Sequence, residues 1–149
     1  MRILSVGSLS GMSNTCLHRN WALHKVADEV DEINTQLNPI TLWGRICYHL
    51  FFLGLPIRIP ENKCKMVKNK DYDIVWIDKG HTILPSTLKY IKKISPNTII
   101  VSYSPDNMAL RHNQTQQYLE TIPLYDYFFT NKSYILDNMR KLGTKNIFF

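Results

Sequence analysis

The sequence is poor in cysteine: Cys16, Cys47 and Cys64 lie far apart and form no C-x-x-C pair. Because three is an odd number and the spacings are long, a disulfide framework is excluded, and the missing C-x-x-C argues against a zinc site. No other cluster of metal ligands is present, so neither a metal nor a cofactor is predicted. Unpaired cysteines are typical of a reducing compartment and favour a cytoplasmic protein.

Long hydrophobic runs and targeting signals are also missing. The longest apolar run, residues 50–55, is far too short to span a bilayer. Strand-like residues begin at the first position and a charged helix follows, which excludes a secretory signal. The sequence therefore predicts a protein that contacts a membrane only peripherally, if at all.

Acidic residues are outnumbered, since Asp+Glu 12 against Lys+Arg 18 gives a net charge of +6. This balance favours an anionic partner, such as a phosphorylated metabolite, a nucleotide sugar, an acidic membrane surface or a nucleic acid. An ordinary solvated basic surface explains it equally well. Part of the excess lies in one run of lysines that has no interleaved aromatic residues, which argues against nucleic-acid binding. The run comprises Lys63, Lys65, Lys68 and Lys70.

Apolar runs and helical periodicities alternate along the chain. The predicted strands are residues 1–6, 29–34, 73–78, 98–103, 127–130 and 146–149, with helices between them. This rhythm predicts right-handed crossovers and a Rossmann-like α/β fold, a mostly parallel sheet with helices on both faces. With 149 residues, the chain forms one domain, residues 1–149.

Three polar turns follow the first, third and fourth predicted strands, namely residues 7–15, 79–81 and 104–107. Ligands of such sheets bind at the carboxyl ends of the strands, so these turns are expected to converge on one crevice. Gly7 and Gly11 fit neither the dinucleotide nor the P-loop spacing. The first turn is therefore either a ligand-binding loop or a tight connection with no ligand.

Asn14 or Thr15 is expected to cap the first helix, with Leu17, Trp21 and Ala22 on its inward face. Arg19 lies near the positive end of this helix. It either reaches an anion at the first turn or is a solvated surface residue.

The segment 40–53 carries large apolar residues almost all round a predicted helix. Such a helix is packed in a core, covered by a second domain or laid against a membrane interface.

Several stretches, in order and over essentially the whole chain, resemble the N-terminal half of a GT-B glycosyltransferase of the CgeB-like, glycosyltransferase family 4-like type. They are Met1-Arg2-Ile3-Leu4, Gly7-Ser8, Ser13-Asn14-Thr15, Asp73-Ile74-Val75-Trp76-Ile77-Asp78-Lys79-Gly80, Tyr103-Ser104-Pro105-Asp106-Asn107, His112-Asn113 and Tyr125-Asp126-Tyr127-Phe128-Phe129-Thr130-Asn131-Lys132. The resemblance implies two facing Rossmann-like domains, of which the first supplies the acceptor side of the cleft.

In that family the second domain binds most of the nucleotide-sugar donor. The resemblance therefore implies that the donor-binding half is absent from this chain and that the chain alone is inactive. Its partners would be a nucleotide sugar, bound mainly through the missing domain, and a polysaccharide, lipid or protein acceptor. The C-terminal domain would pack against the cleft face.

The resemblance also implies roles for single residues. The loop residues Gly7, Ser8, Gly11 and Ser13 would lie against the sugar-phosphate of the donor, where small side chains permit close approach. Arg19 would lie near the same anion.

The second and third turns supply the remaining candidates. Lys79, Gly80 and His81 would lie in the cleft, where Lys79 offers a cation and His81 a titratable group with a catalytic role. Asp106 would orient or deprotonate an acceptor hydroxyl. Asn107 stands where family members often carry a second acid, which argues against a paired-carboxylate mechanism. Further binding candidates are His112 and Asn113.

Other interpretations stay open from the sequence. His81 is equally consistent with a helix cap or a surface residue, and Asp106 with a turn aspartate after proline. The chain as a whole is also consistent with a non-catalytic α/β binding or interaction module. A receiver domain is disfavoured, because Gly7-Ser8-Leu9 stands where an acidic pocket would follow the first strand.

Overall fold

Strands and helices alternate along the described part of the chain in the computed structural model. The strands are β1 (Arg2–Gly7), β2 (Glu29–Asn34), β3 (Ile74–Asp78), β4 (Ile99–Ser104), β5 (Tyr127–Thr130) and β6 (Ile147–Phe148). The helices are α1 (Thr15–Val26), α2 (Leu42–Phe52), α3 (Pro85–Ile94), α4 (Gln116–Thr121) and α5 (Leu136–Lys141). The structure describes residues 1–11, 14–35, 42–53, 55 and 70–149. Outside them lie Ser13, Cys64 and three lysines of the basic run, Lys63, Lys65 and Lys68.

The strands form one sheet in the order β2-β1-β3-β4-β5-β6, and every neighbouring pair is parallel. This confirms the predicted Rossmann-like α/β fold. From β1 the chain first runs to β2 at one edge and then back across to β3. The order therefore reverses between β1 and β3, and the connections that follow these two strands diverge. Such a topological switch point opens a crevice at the carboxyl ends of the strands.

One face of the sheet is covered by α3, α4 and α5. Leu4 and Val6 of β1 align with Val75 and Ile77 of β3 and point to this face. The helices bury apolar residues against it, among them Leu88, Ile91, Tyr118, Ile122 and Met139. Burial of each large side chain contributes about 1.5–3 kcal/mol to the free energy of folding. For this reason the continuous apolar run of β3 lies in the middle of the core.

The opposite face is covered by α1 over β1–β3, and it carries aromatic rings along β3–β6. Trp76 stacks on Tyr103 and Phe129 with ring centroids 6.0 and 6.4 Å apart. Phe129 in turn stacks on Phe148 at 5.5 Å. Arg19 of α1 lies over the ring of Tyr103, 4.2 Å from its centroid. This contact joins the helix to the aromatic cluster.

The predicted inward face of α1 is wrong. Trp21 is 53% exposed and packs beside His18 at the surface, and Ala22 is exposed as well. The buried residues are Cys16 and Asn20. Asn20 donates a hydrogen bond to the Glu32 carboxylate at 2.6 Å. The helix rests on polar groups of the sheet, so apolar periodicity does not identify its buried side.

The helix α2 lies within the segment predicted to be apolar all round, and it is half core and half surface. Cys47 and Phe51 are buried, whereas Leu42, Trp43 and Leu53 are each at least 65% exposed. The sequence left packing, a second domain and a membrane interface open for this helix. Packing in the core accounts for only one side of the helix, the side that carries Cys47 and Phe51.

Candidate functional site

A pocket of about 350 Å³ opens at the topological switch point, between the carboxyl ends of β1 and β3. Its described lining comes from the turn after β1, the start of α1, the residue after β2 and the turn after β3. The polar side chains among them include Ser8, Asn14, Thr15, Thr35, Lys79 and Thr82. The first two predicted turns therefore converge, as expected. The third turn meets them through an ion pair between Asp106 and Lys79.

The start of α1 is capped by Asn14, as predicted. Its side-chain oxygen accepts a hydrogen bond from the Cys16 amide at 3.0 Å. Its amide nitrogen donates to the carbonyl of Ser8 and, at 3.2 Å, to the Ser8 hydroxyl. One side chain thus satisfies the helix end and fixes the loop across it. Gly11 lies further out in this loop, exposed and with φ 98°, where a Cβ would meet no described atom within 4 Å.

Gly7 is buried beneath this loop and packs α1 onto the sheet. A Cβ at this position would lie 2.9 Å from Cβ of Asp78 and would collide with Sγ of Cys16. The sequence suggested that Gly7 lets a ligand approach. Its described neighbours show instead that a small residue is needed for close contact between helix and strand.

Gly7→Ala is therefore expected to destabilise the protein by about 2–3 kcal/mol, because overpacked sites of this kind relax poorly. The free energy of unfolding in urea measures the effect. Gly11→Ala is the matched variant in the same loop. Its added Cβ meets open space, so the left-handed backbone is the expected source of strain. This strain should lower the free energy of unfolding by about 1 kcal/mol. Equal losses in the two variants would show that no collision occurs at position 7.

Asp78 ends β3 at the floor of the pocket, and it is a lining residue that the sequence did not single out. It is 4% exposed and accepts hydrogen bonds from Nε and Nη2 of Arg19, the first at 3.0 Å. The indole N–H of Trp76 donates to its other oxygen at 3.0 Å. Arg19 lines the pocket, and its charge is paired with Asp78. The sequence did contain a signal for Asp78, namely an acidic residue at the carboxyl end of a buried parallel strand.

Cys16 lies between Gly7 and Asp78 and is not a nucleophile at neutral pH. Burial, followed by the neighbouring Asp78 carboxylate, raises the pKa of its thiol to about 12. Because the thiolate is the reactive form, this cysteine acts as a small packing residue.

Lys79 follows at the rim in the left-handed region, with φ 63°. Among the described non-glycine residues it is the one with positive φ. Its backbone N–H donates to the Tyr103 carbonyl, and its Nζ lies 2.6 Å from a carboxylate oxygen of Asp106. Gly80 continues the left-handed turn with φ 71°, where a Cβ would meet the Tyr125 hydroxyl at 2.7 Å. The turn after β3 thus holds a lysine in a conformation that favours glycine.

His81 lines the pocket and is half-buried, and its imidazole lies between Phe51 and Tyr118, with ring centroids 5.5 and 5.7 Å away. Its Nε2 is buried and has no hydrogen-bond partner among the described residues. Burial, with a smaller contribution from Lys79, lowers the pKa of the imidazole to about 4. The expectation of a group that titrates in the cleft near neutral pH is corrected, because this ring stays neutral there.

The remaining predicted residues lie in and after the turn that follows β4. Asn107 accepts a hydrogen bond from the Ala109 amide on its side chain and another from the Asn113 side chain on its carbonyl. These two asparagines brace the turn. His112 is exposed in the adjacent 3₁₀ turn. None of the three belongs to the described pocket lining.

No family model matches this chain, and no curated protein matches it. The candidate site therefore rests on its own geometry: a polar pocket at a switch point, two paired cations and a carboxylate at the rim.

Proposed function

We propose that this chain forms the acceptor-side half of a GT-B glycosyltransferase and that its pocket binds a sugar hydroxyl. The observation that carries the proposal is the chemistry of the pocket at the β1/β3 switch point. Hydroxyls of Ser8, Thr15, Thr35 and Thr82 line it. Such groups donate and accept hydrogen bonds in the same way as the hydroxyls of a sugar.

The charges at the pocket favour a neutral sugar over a nucleotide diphosphate. Of the described lining residues, Arg19 is paired with Asp78 and Lys79 with Asp106. A diphosphate would have to compete with carboxylates for both cations. We therefore place the acceptor in this pocket and assign the diphosphate of the donor mainly to a second domain that faces the carboxyl edge of the sheet.

Asp106 is the proposed catalytic residue. It lies at the end of β4, partly exposed and held by Lys79 at the pocket rim. In the proposed reaction it takes the proton from the acceptor hydroxyl while that oxygen attacks the anomeric carbon and the nucleoside diphosphate leaves. His81 has no such role in the proposal, because its ring is buried and neutral.

Binding to the chain itself tests the proposal. Methyl glycosides of glucose, galactose and N-acetylglucosamine, and UDP-glucose, are titrated while backbone amide NMR shifts are followed. We expect at least one neutral glycoside to shift the amides of Ser8, Thr15 and Thr82, and UDP-glucose to shift them less. Unshifted pocket amides with every glycoside would overturn the proposal.

Lys79→Gly is expected to weaken glycoside binding at least about tenfold while stability changes by no more than about 1 kcal/mol. Glycine adopts the left-handed backbone conformation without strain, and this gain in stability offsets the loss of the half-exposed ion pair with Asp106. Isothermal titration and urea unfolding measure the two effects. Lys89→Ala, an exposed lysine on α3, is the control. An unchanged affinity in the glycine variant would remove Lys79 from the site.

A non-catalytic sugar-binding module is the second candidate, and the pairing of both cations favours it. Asp106→Asn separates the two in a transfer assay with a second domain present. Loss of transfer with retained glycoside affinity supports the enzyme, whereas absence of transfer in both forms supports the module.

A further inference from the structure

The imidazole of His81 is a polar group that the proposed reaction does not use. Its Nε2 is buried and has no hydrogen-bond partner among the described residues. Burial lowers the pKa of the ring, and a hydrogen bond with the Asn113 backbone acts in the opposite direction by stabilising a ring N–H. The acceptor is therefore the Asn113 carbonyl, and because Nε2 has no partner, the donor is Nδ1. The neutral ring thus carries its proton on Nδ1.

The segment that follows the 3₁₀ turn holds His81 at a second point. The hydroxyl of Thr115 donates a hydrogen bond to the His81 carbonyl at 2.7 Å. The ring itself lies between Phe51 of α2 and Tyr118 of α4. A side chain that is packed on both sides and bonded at its backbone has little freedom to rotate, so the position of its N–H is fixed.

Asn113 connects this ring to the turn after β4. Its side-chain amide donates a hydrogen bond to the Asn107 carbonyl at 2.9 Å, and Asn107 is the neighbour of Asp106 in the chain. Lys79, two residues before His81, contacts the Asp106 carboxylate at 2.6 Å. The turn after β3 therefore holds the turn after β4 at two points, through Lys79 and through His81.

The two points differ in how well they fix geometry. The side chains of Lys79 and Asp106 are 45% and 41% exposed, and an ion pair between such groups holds its partners only weakly. The ring of His81 lies between two aromatic rings, where water competes less for its N–H. The contact of His81 is thus the better one to set the backbone beside Asp106, and the ion pair then directs the carboxylate.

We propose that His81 is a positioning residue, whose Nδ1–H sets the place of Asp106 at the pocket rim. It acts through Asn113 and Asn107 and transfers no proton itself. This role rests on the proposed function, in which Asp106 accepts the proton of the sugar hydroxyl.

Two substitutions separate positioning from simple packing of a ring. His81→Asn keeps an amide nitrogen at the same number of bonds from Cβ as Nδ1, but it loses the ring. His81→Phe keeps a ring between the two aromatic neighbours and loses the N–H. His81→Asn is expected to be less stable to urea than the parent chain, because the space of the ring is left unfilled. A role in packing alone predicts that His81→Phe preserves the site better than His81→Asn, and positioning predicts the reverse.

Backbone amide NMR shifts and glycoside titration measure the state of the site in the folded chain. In His81→Asn we expect the amides of Asp106 and Asn107 to stay near their parent positions and the glycoside affinity to stay within about threefold. In His81→Phe both amides should shift and the affinity should fall about tenfold, because the misplaced carboxylate no longer accepts the sugar hydroxyl. His112→Phe, at an exposed histidine of the adjacent 3₁₀ turn, is the control and should change neither.

Nitrogen-15 NMR of the parent chain reads the ring directly, without a substitution. Nδ1 of His81 should be protonated and Nε2 unprotonated at neutral pH. A proton on Nε2 would overturn the proposal, and so would a His81→Phe variant with parent amide shifts at Asp106 and Asn107, or equal shifts in both variants. These readings need no glycoside. A chain that binds no glycoside but passes them contradicts the proposed function, while the placement of Asp106 by His81 stands.

Discussion

Asp78→Ala is expected to lower the free energy of unfolding by about 3–5 kcal/mol, the largest effect of any single substitution proposed. The carboxylate is 4% exposed and holds the Arg19 guanidinium, which is itself only 22% exposed. It also accepts the indole N–H of Trp76. Its removal leaves a half-desolvated cation and a donor without a partner, and each carries its own desolvation cost.

Urea unfolding with a matched pair of carboxylates measures this effect. Asp137 forms an ion pair with Arg140 on the surface of α5, where the carboxylate is 86% exposed. Asp137→Ala is therefore expected to change stability by less than about 1 kcal/mol. The double variant Arg19→Met/Asp78→Leu removes both charges and should be more stable than Asp78→Ala. Equal losses for Asp78→Ala and Asp137→Ala would contradict a structural role for the buried pair.

The elements and the position of the pocket could be predicted because they depend on local patterns. The unbroken apolar run of β3 marks a strand covered on both faces, and Asn14 marks a helix start. Alternation of such elements allows few topologies, and the carboxyl edge of a parallel sheet is where connections leave room for a ligand. These inferences need no knowledge of distant contacts.

The side-chain arrangement of the site could not be predicted, because it depends on partners far apart in sequence. Arg19 and Asp78 are 59 residues apart, and Asn20 meets Glu32 across a helix and a strand. These pairs orient α1 so that a polar side of the helix is buried, although its apolar periodicity predicts a different buried side. The pattern around His81 likewise gives no sign that Phe51, 30 positions earlier, encloses its ring.

The burial of His81 has a measurable consequence for stability. The imidazole has a pKa of about 4 in the folded chain against an ordinary value of 6.5. As pH falls below about 6.5, the unfolded chain takes up a proton that the folded chain does not, so stability decreases. The decrease ends once the folded chain is also protonated, near pH 4, and amounts to about 3 kcal/mol in total.

The window above about pH 5.5 isolates this histidine. Asp28, Asp31 and Glu32 also have lowered pKa values in the folded chain, but their ordinary values are 3.8 to 4.5, so they affect stability mainly below about pH 5.5. Urea unfolding between about pH 6.5 and 5.5 should show a slope that rises toward about 1.4 kcal/mol per pH unit. In the His81→Gln variant this dependence of stability on pH should be largely lost, because glutamine does not titrate. The result does not depend on the absolute stability of the variant.

His112→Gln is the control, because His112 is exposed in the 3₁₀ turn Arg111–Asn113. It should keep the slope of the parent chain. The shift of the His81 imidazole protons, followed by NMR in the folded protein, should remain that of a neutral ring down to about pH 5. A parent chain whose stability is flat across the window, or a His81→Gln variant with an unchanged slope, would show that the ring is accessible to protons in the folded state.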